Sequence, residues 1–575
     1  MKLNSRSVRN AAWIALSAIS LAFAGCGSSG STTTSTSAST GATTTTTSLV
    51  SSATSVVAGA SITLTATVSP SAATGTVTFY DSSTSLGTGT LSSGTATLVT
   101  SLGTTGTHTL TATYAGSTTY SASTSSSVPV TVTAASSFSG TCGYQDSTNS
   151  AYNTAVDAYT SGTNTLSSAT VSASGTDESA VCAANAGTTL TLTSPTITSS
   201  SSTGDQNDSS FYGLNAAVLA YGSGSAASSG PVVNITGGTV TTTGTFGTAV
   251  YAAAATVNIS GTTINASGSG GHGLYCSEGA VMNITNVTAT TTNSTGSVVA
   301  TDTGGCTITV NGGTYTTEGT HSAGLYSTGS ITATGATFSA QNAPVAVIDG
   351  TNSITVNSSS LSSANGDGHA IFLFSSAGST SSANTDTFKM TGGSLTYSCT
   401  ATDCSSLSAS SGQNNPATVF AVTNTTAVLS LTNVTVTNNV SGLLTASALN
   451  NGTTGKNGGL VTFSASGTAL TGNVAADDIS TVSISLASGS SLTGEINNAE
   501  TAESIALTLD STSTWTVTGT SYLTTLTDSA GISTAALSVS NIVGNGNTVY
   551  YSSAHNSSLD GLTYTLSGGG YLKPY

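Results

Sequence analysis

The sequence predicts an all-β chain, a small β-sandwich followed by a long parallel β-helix, and three observations carry that reading. Charged residues make up 5% of 575 positions, against roughly 25% in ordinary soluble domains. Gly, Ser and Thr take their place, and these poor helix formers suit short strands joined by tight turns. Apolar residues alternate with small polar ones through residues 48–134, and from about residue 200 apolar anchors recur about every two dozen residues.

The N-terminus reads as an address. Lys2, Arg6 and Arg9 precede the apolar run AAWIALSAISLAFA, Ala11 to Ala24, which has the length of a signal-peptide core and is too short to span a bilayer. The run ends in FAGC, which resembles a bacterial lipobox. That resemblance implies removal of residues 1–25 and lipidation of Cys26, with Phe23 standing where such motifs usually carry Leu. Gly27 after the cysteine, rather than Asp, resembles the outer-membrane sorting pattern of diderm lipoproteins. The implied location is the bacterial cell surface or outer membrane, with the exported chain held by its lipid. Residues 26–47 have almost no apolar side chain and are expected to form a flexible tether reaching roughly 25 Å. No later segment reads as transmembrane.

From Cys26 onward the chain carries three lysines, no arginine and all 22 acids, a net charge of −19. Such a chain has no phosphate-binding stripe, which excludes nucleic acid as a partner and disfavours acidic polysaccharides.

Residues 48–134 contain ITLTATV (Ile62 to Val68), VTFYD (Val77 to Asp81), ATLVT (Ala96 to Thr100), HTLTATY (His108 to Tyr114) and VPVTV (Val128 to Val132). Gly- and Ser-rich turns separate them at the spacing of a β-sandwich. With its GTVTFYD and TATYAG signatures the whole segment resembles the bacterial Ig-like repeat domains of surface proteins, which implies a spacer or stalk. His108 opens a strand and is read as structural.

The rest of the chain, 137–575, is periodic. One series runs through Ile235, Ile259, Ile284, Ile308, Ile331 and Ile354, and a second through Tyr251, Tyr275, Ala300, Tyr326, Val347 and Phe372. A looser third follows Val240, Ile264, Val287, Tyr315, Phe338 and Leu361. Three short strands per repeat make one turn of a parallel β-helix, in which neighbouring turns bury one another's inward residues. Further on, Phe463, Ile484 and Leu507 repeat alongside LTGNV, LTGEI and VTGTS. Residues 137–200 are expected to cap the solenoid, and 373–460, where the period is lost, to hold an insertion. The pattern over 201–575 resembles right-handed parallel β-helix proteins of the adhesin and autotransporter-passenger type. No pore-forming barrel follows GGGYLKPY, so a lipid anchor is expected in its place, on a monomeric chain.

Without Cys26 six cysteines remain, an even number that suits an oxidising compartment. The sequence-nearest pairings are Cys142 with Cys182, Cys276 with Cys306, and Cys399 with Cys404, among fifteen possible connectivities. No CxxC pair suggests zinc.

Candidate chemistry centres on GHGLYCSEGAVMNITNV, Gly271 to Val287. His272 and His369 share a register four coils apart, and His321 is two residues out of step. At about 4.8 Å per coil they are too far apart to hold one metal ion. Glu278, Asp302 and Asp349 follow the second series by three, two and two residues, which places Glu278 about 5 Å from Asp302 and Asp349 about 10 Å further along. Carboxylates so spaced serve glycoside hydrolysis, and their oxygens equally suit calcium (Ca2+). Against catalysis, no basic residue stands near to orient a sugar, whereas lyases of this fold generally use one. Tyr275 and Tyr326 read as core or turn aromatics, and the sequons at Asn258, Asn283 and Asn433 as products of composition. Thr-rich flat faces occur in ice-binding solenoids, but the TxT runs do not repeat at a fixed register along the sequence. The expectation is a non-enzymatic, adhesin-like or structural surface protein whose partner is a glycan or a host or neighbour-cell surface. The alternative is a glycoside hydrolase acting on a neutral polysaccharide.

Overall fold

The computed structural model describes residues 41–57, 61–104, 106–133, 141–145, 152–364, 367–376, 385–399, 417–448 and 452–575. The leader, Cys26, residues 27–40 of the tether and Cys404 lie outside the described residues. Among the described residues no helix is long and apolar enough to cross a membrane.

Alternation of apolar and hydroxyl residues produces a two-sheet sandwich at the N-terminal end. Strands Thr46–Ser51, Ser61–Ser69 and Thr95–Ser101 form one sheet. Ser55–Val57, Val128–Thr133, Gly106–Tyr114, Thr76–Asp81 and Thr84–Thr90 form the other. Leu64, Val77, Phe79, Leu110 and Tyr114 point between them, each fully buried. All five sequence-read strands are present. Thr43 to Thr47, placed in the tether by composition, are instead held in the sandwich. Thr43 bridges Tyr120, Thr45 is buried, and Thr46 and Thr47 pair with Ser69 and Val68. His108 bonds Asp81 at 2.5 Å and the Thr104 carbonyl at 2.6 Å, a local tie between neighbouring strands.

From Tyr152 the chain winds as a parallel β-solenoid. One sheet stacks Tyr152–Tyr159, Glu178–Ala184, Val218–Tyr221, Val250–Ala253, Leu274–Ser277 and their successors through Asn473–Ala476. A second, longer sheet carries two strands per coil, divided by a sharp bend. Left-handed residues make the bend: Gly237, Gly261, Asn286, Gly312 and Gly335 have φ of 63°, 60°, 50°, 68° and 64°. Gly and Asn tolerate that region, which is why they mark the turn in sequence. At Gly313, just past the bend, a Cβ would come within 2.3 Å of the Val287 carbonyl, so the coils close only over glycine.

The second anchor series is in register throughout, Tyr251 on Tyr275, Ala300, Tyr326, Val347 and Phe372. The other two series need correction. Ile235, Ile259 and Ile284 continue to Val310, whereas Ile308, Ile331 and Ile354 continue from Met282. Each strand carries two inward residues, and isoleucine changes columns between coils. For the same reason the third series passes through Ala289, two residues beyond Val287. Phe463, Ile484 and Leu507 stack as expected, but Leu492 faces Trp515, so VTGTS sits two residues beyond its counterpart.

Residues expected only to cap the solenoid already form coils from Tyr152 onward. Among the described residues the closing element is Thr141–Gln145, which pairs antiparallel with Tyr152–Tyr159. At the far end Tyr564–Ser567 and Tyr571–Pro574 pair antiparallel, again breaking the parallel stack. Such ends remove an open edge that would template another chain. Residues 373–460 are not one insertion. His369–Phe374, Thr385–Ser398, Thr418–Thr423 and Gly459–Ser466 keep the stack, and the period is lost because their connections are longer.

Candidate functional site

The three candidate acids lie where the shorter-coil-strand sheet turns toward the two-strand sheet. Along Val250–Ala253, Val250 and Ala252 face the solenoid interior, while Tyr251 and Ala253 face outward into a separate apolar cluster. Leu219, Tyr251, Tyr275 and Ala300 form its spine. A helix inserted between coils, Gln206–Tyr212, covers it. Asp205 caps the helix by accepting from the Asp208 amide at 3.0 Å, and Gly213 ends it at φ 73°. A Cβ on Gly213 would come within 2.5 Å of the Tyr251 ring, so glycine is required for the helix to lie this close. Tyr251 Oη donates to the Ser210 carbonyl at 2.6 Å, and Ser277 Oγ to that of Phe211 at 2.8 Å.

Beyond the helix each outward tyrosine is tied to an acid of the next coil. Tyr275 donates to Asp302 Oδ2, and Tyr326 lies 3.5 Å from Asp349 Oδ2. The other oxygen of Asp302 accepts from the Thr303 amide at 2.7 Å, and that of Asp349 from the Ser376 amide at 2.8 Å. Burial, then the neighbouring carboxylate, raises both phenols above their ordinary range, and burial raises the Asp349 carboxyl. Among the described residues Glu278 bonds no tyrosine, although its charge is felt by Tyr251 and Tyr221. It occupies the left-handed region at φ 52°, and its carboxylate lies over Gly304. The structure therefore ties Asp302 and Asp349 to tyrosines of one column, two coils apart, and sets Glu278 against Gly304 on the same flank.

A buried polar group asks for a partner, and these acids meet that need for the tyrosines. Replacing Tyr275 with Phe is expected to lower stability by about 1 kcal/mol, less than the about 1.5–3 kcal/mol of a bond to a fully buried charge because Asp302 stays half-exposed. The denaturant midpoint of the Tyr275→Phe variant checks this.

The histidines do not converge. His272 stacks on Tyr275 at 4.2 Å and accepts from the Ser297 amide at 3.1 Å, while His369 packs on Phe372 at 4.7 Å. Burial lowers both imidazoles to about 4. His321 reaches Asp367 at 3.6 Å. Among the described residues no group of three or more His, Cys, Asp or Glu is placed to hold a metal ion. A shallow cavity of about 270 Å³ is lined by Lys456, Asp478 and Glu503, and by none of the three acids.

Two disulfides match the sequence-nearest pairs. Cys142 and Cys182 are 6.2 Å apart at Cα, and so are Cys276 and Cys306. Cys399 is also disulfide-bonded. Two features escaped the sequence reading. Asn234, Asn258 and Asn283 form a side-chain ladder, each amide bonded to the next at 2.8 Å, so two of the sequon asparagines are structural rungs. Asp386 is fully buried in the solenoid interior, accepting from Thr425 Oγ1 at 2.8 Å and the Asn352 amide at 3.3 Å. The only sequence signal for it was an acid alternating in phase with Phe388 and Met390.

No curated protein and no solved structure matches this chain. Residues 49–133 match the family of bacterial Ig-like domains, group 3, in agreement with the sandwich and its turn spacing.

Proposed function

We infer that the protein is a non-enzymatic, surface-exposed structural or adhesin-like protein. Its lipid on Cys26 holds it to the outer membrane, and its Ig-like module spaces a long solenoid away from the lipid. The single observation that supports this best is the internal use of the outward acids. Asp302 and Asp349 accept from tyrosines and amides of the protein itself, and among the described residues neither forms an ion pair with lysine or arginine. Solenoid coils displayed on a spacer supply extended area rather than a converging pocket, which suits contact with a glycan or a neighbouring cell surface.

The anchored form predicts that wild type stays with membranes until detergent is added and that Cys26→Ser releases it to the soluble fraction. Wild type that is soluble without detergent overturns the anchor.

A second reading, hydrolysis of a neutral polysaccharide, is favoured by one observation. Asp349, raised by burial, shares a column with Asp302 and feels its charge, an unequal pair of the kind that supplies an acid and a base. Screening neutral glycans with wild type and Asp302→Ala separates the readings. The non-enzymatic reading expects no cleavage by either protein, whereas cleavage by wild type that Asp302→Ala abolishes establishes the hydrolase.

A further inference from the structure

The strand that follows the bend in each coil carries a motif whose regularity emerges only with the register. Its runs TVTT, TINA, TATT, TYTT and TFSA begin at Thr239, Thr263, Thr288, Thr314 and Thr337, and these five stack one upon another. The column extends back to Thr170 and forward to Thr435, ten strands in unbroken one-to-one register. Two residues along each strand a second column runs from Ser172 to Thr437. All twenty outward positions are Thr, Ser or Asn, and none is charged, aromatic or aliphatic. The expectation that TxT runs lack a fixed register is therefore corrected. Uneven connections between coils hide the register in a linear count.

The array is a two-dimensional grid of outward side chains. Strand spacing sets one period at about 4.8 Å, and the two-residue step along a strand sets the other at about 6.6 Å. Nine steps give a length of roughly 43 Å. The grid is rigid for two reasons. Threonine is stiff about χ1. Beneath it Val240, Ile264, Ala289, Tyr315, Phe338 and Leu361 stack as a buried inward column that fixes each strand's height. Each threonine offers a hydroxyl that anchors water and a methyl around which water must order itself.

The chemistry of the face narrows its occupant. Protein interfaces centre on Tyr, Trp and Arg anchors, which are absent from these positions. Small-ligand sites are concave, with convergent polar groups and apolar or aromatic walls, and this face offers only a repeated row of Thr, Ser and Asn side chains. A periodic hydroxyl grid complements a periodic hydroxyl-like lattice, and both of its periods are close to oxygen repeats on the faces of ice. We propose that the TxT face of the solenoid adsorbs to ice, binding an ordered plane of water across its two threonine columns. This does not depend on the anchor or on the adhesin reading.

Ice partition of the full-length protein, with serum albumin as a non-binding control, tests the proposal. Wild type is expected to enrich in slowly grown ice and to shape crystals under the microscope. The double variant Thr290→Lys, Thr316→Lys places two charged, strongly hydrated side chains mid-array at outward positions, and its enrichment should fall to the albumin level with an unchanged melting curve. Thr97→Lys, an exposed strand position in the Ig-like domain, should retain wild-type partition. Wild type that partitions no better than albumin overturns the proposal, and so does a double variant that partitions as wild type. Retention on an insoluble neutral polysaccharide, lost in the double variant and without ice adsorption, overturns it in favour of a glycan face.

Discussion

Trp515→Ala is expected to destabilise the C-terminal coils by about 3–5 kcal/mol, the range for truncating a buried aromatic to alanine. Trp515 is fully buried, is flanked along the stack by Leu492 and Ile542, and donates Nε1–H to the Gly494 carbonyl at 2.9 Å. Truncation leaves a cavity between coils and removes the donor from that carbonyl. Each coil touches only its neighbours, so the damage stays local and does not spread along the solenoid. Amide hydrogen exchange should therefore accelerate on the order of a hundredfold to several thousandfold in Ser491–Gly494 and Ser538–Val543, and little in the coils near Tyr251. Trp515→Phe keeps most of the buried area and should give a much smaller change. Exchange that accelerates equally in all coils would mean that the solenoid unfolds as one unit.

Asp386→Asn is expected to stabilise the protein at pH 8 and to leave it little changed near pH 4. Burial pushes the Asp386 carboxyl up to about 7, against bonds from Thr425 and Asn352 that favour the ionised form. In the unfolded chain the same group titrates near 4. Between those values the folded state holds the extra proton, so this residue's contribution to stability falls as pH rises from about 4 to about 7. A gap of this size corresponds to a cost on the order of 4 kcal/mol above pH 7. His272 and His369, lowered to about 4, act in the opposite sense between about 4 and 6.5. The difference between wild type and Asp386→Asn isolates the carboxyl from the imidazoles. Denaturation midpoints measured from pH 4 to pH 8 should diverge as pH rises, and parallel curves would refute the assignment.

The solenoid was legible in the sequence because its inward columns are apolar and its period is short. The Tyr251 to Phe372 column came through in register because aromatic residues mark it in four of its six coils. The isoleucine series failed between Ile284 and Ile308 because that strand offers two inward slots and either accepts isoleucine. A linear count cannot distinguish a two-residue shift from a longer loop. The threonine grid was hidden for the same reason, as was the continuity of coils through Thr385–Ser398 and Thr418–Thr423. Of the candidate acids, Asp302 and Asp349 were placed on one flank correctly. Glu278, at a left-handed residue, lies over Gly304 rather than bonding a tyrosine, a detail its spacing does not reveal. Asp386 escaped notice because a buried acid has no sequence mark beyond its phase within a strand.

The bridge between Cys142 and Cys182 ties the antiparallel end strand to the coil that begins at Glu178. Tension entering through the N-terminus would pass through sulfur from residue 142 to residue 182, and the forty-residue span between them would bear none of it. The first rungs to be peeled under load would then be those after Cys182, where the inserted helix and its tyrosine contacts staple neighbouring coils. A molecule dragged by its leading end would meet that load with coils braced by the helix and its tyrosine.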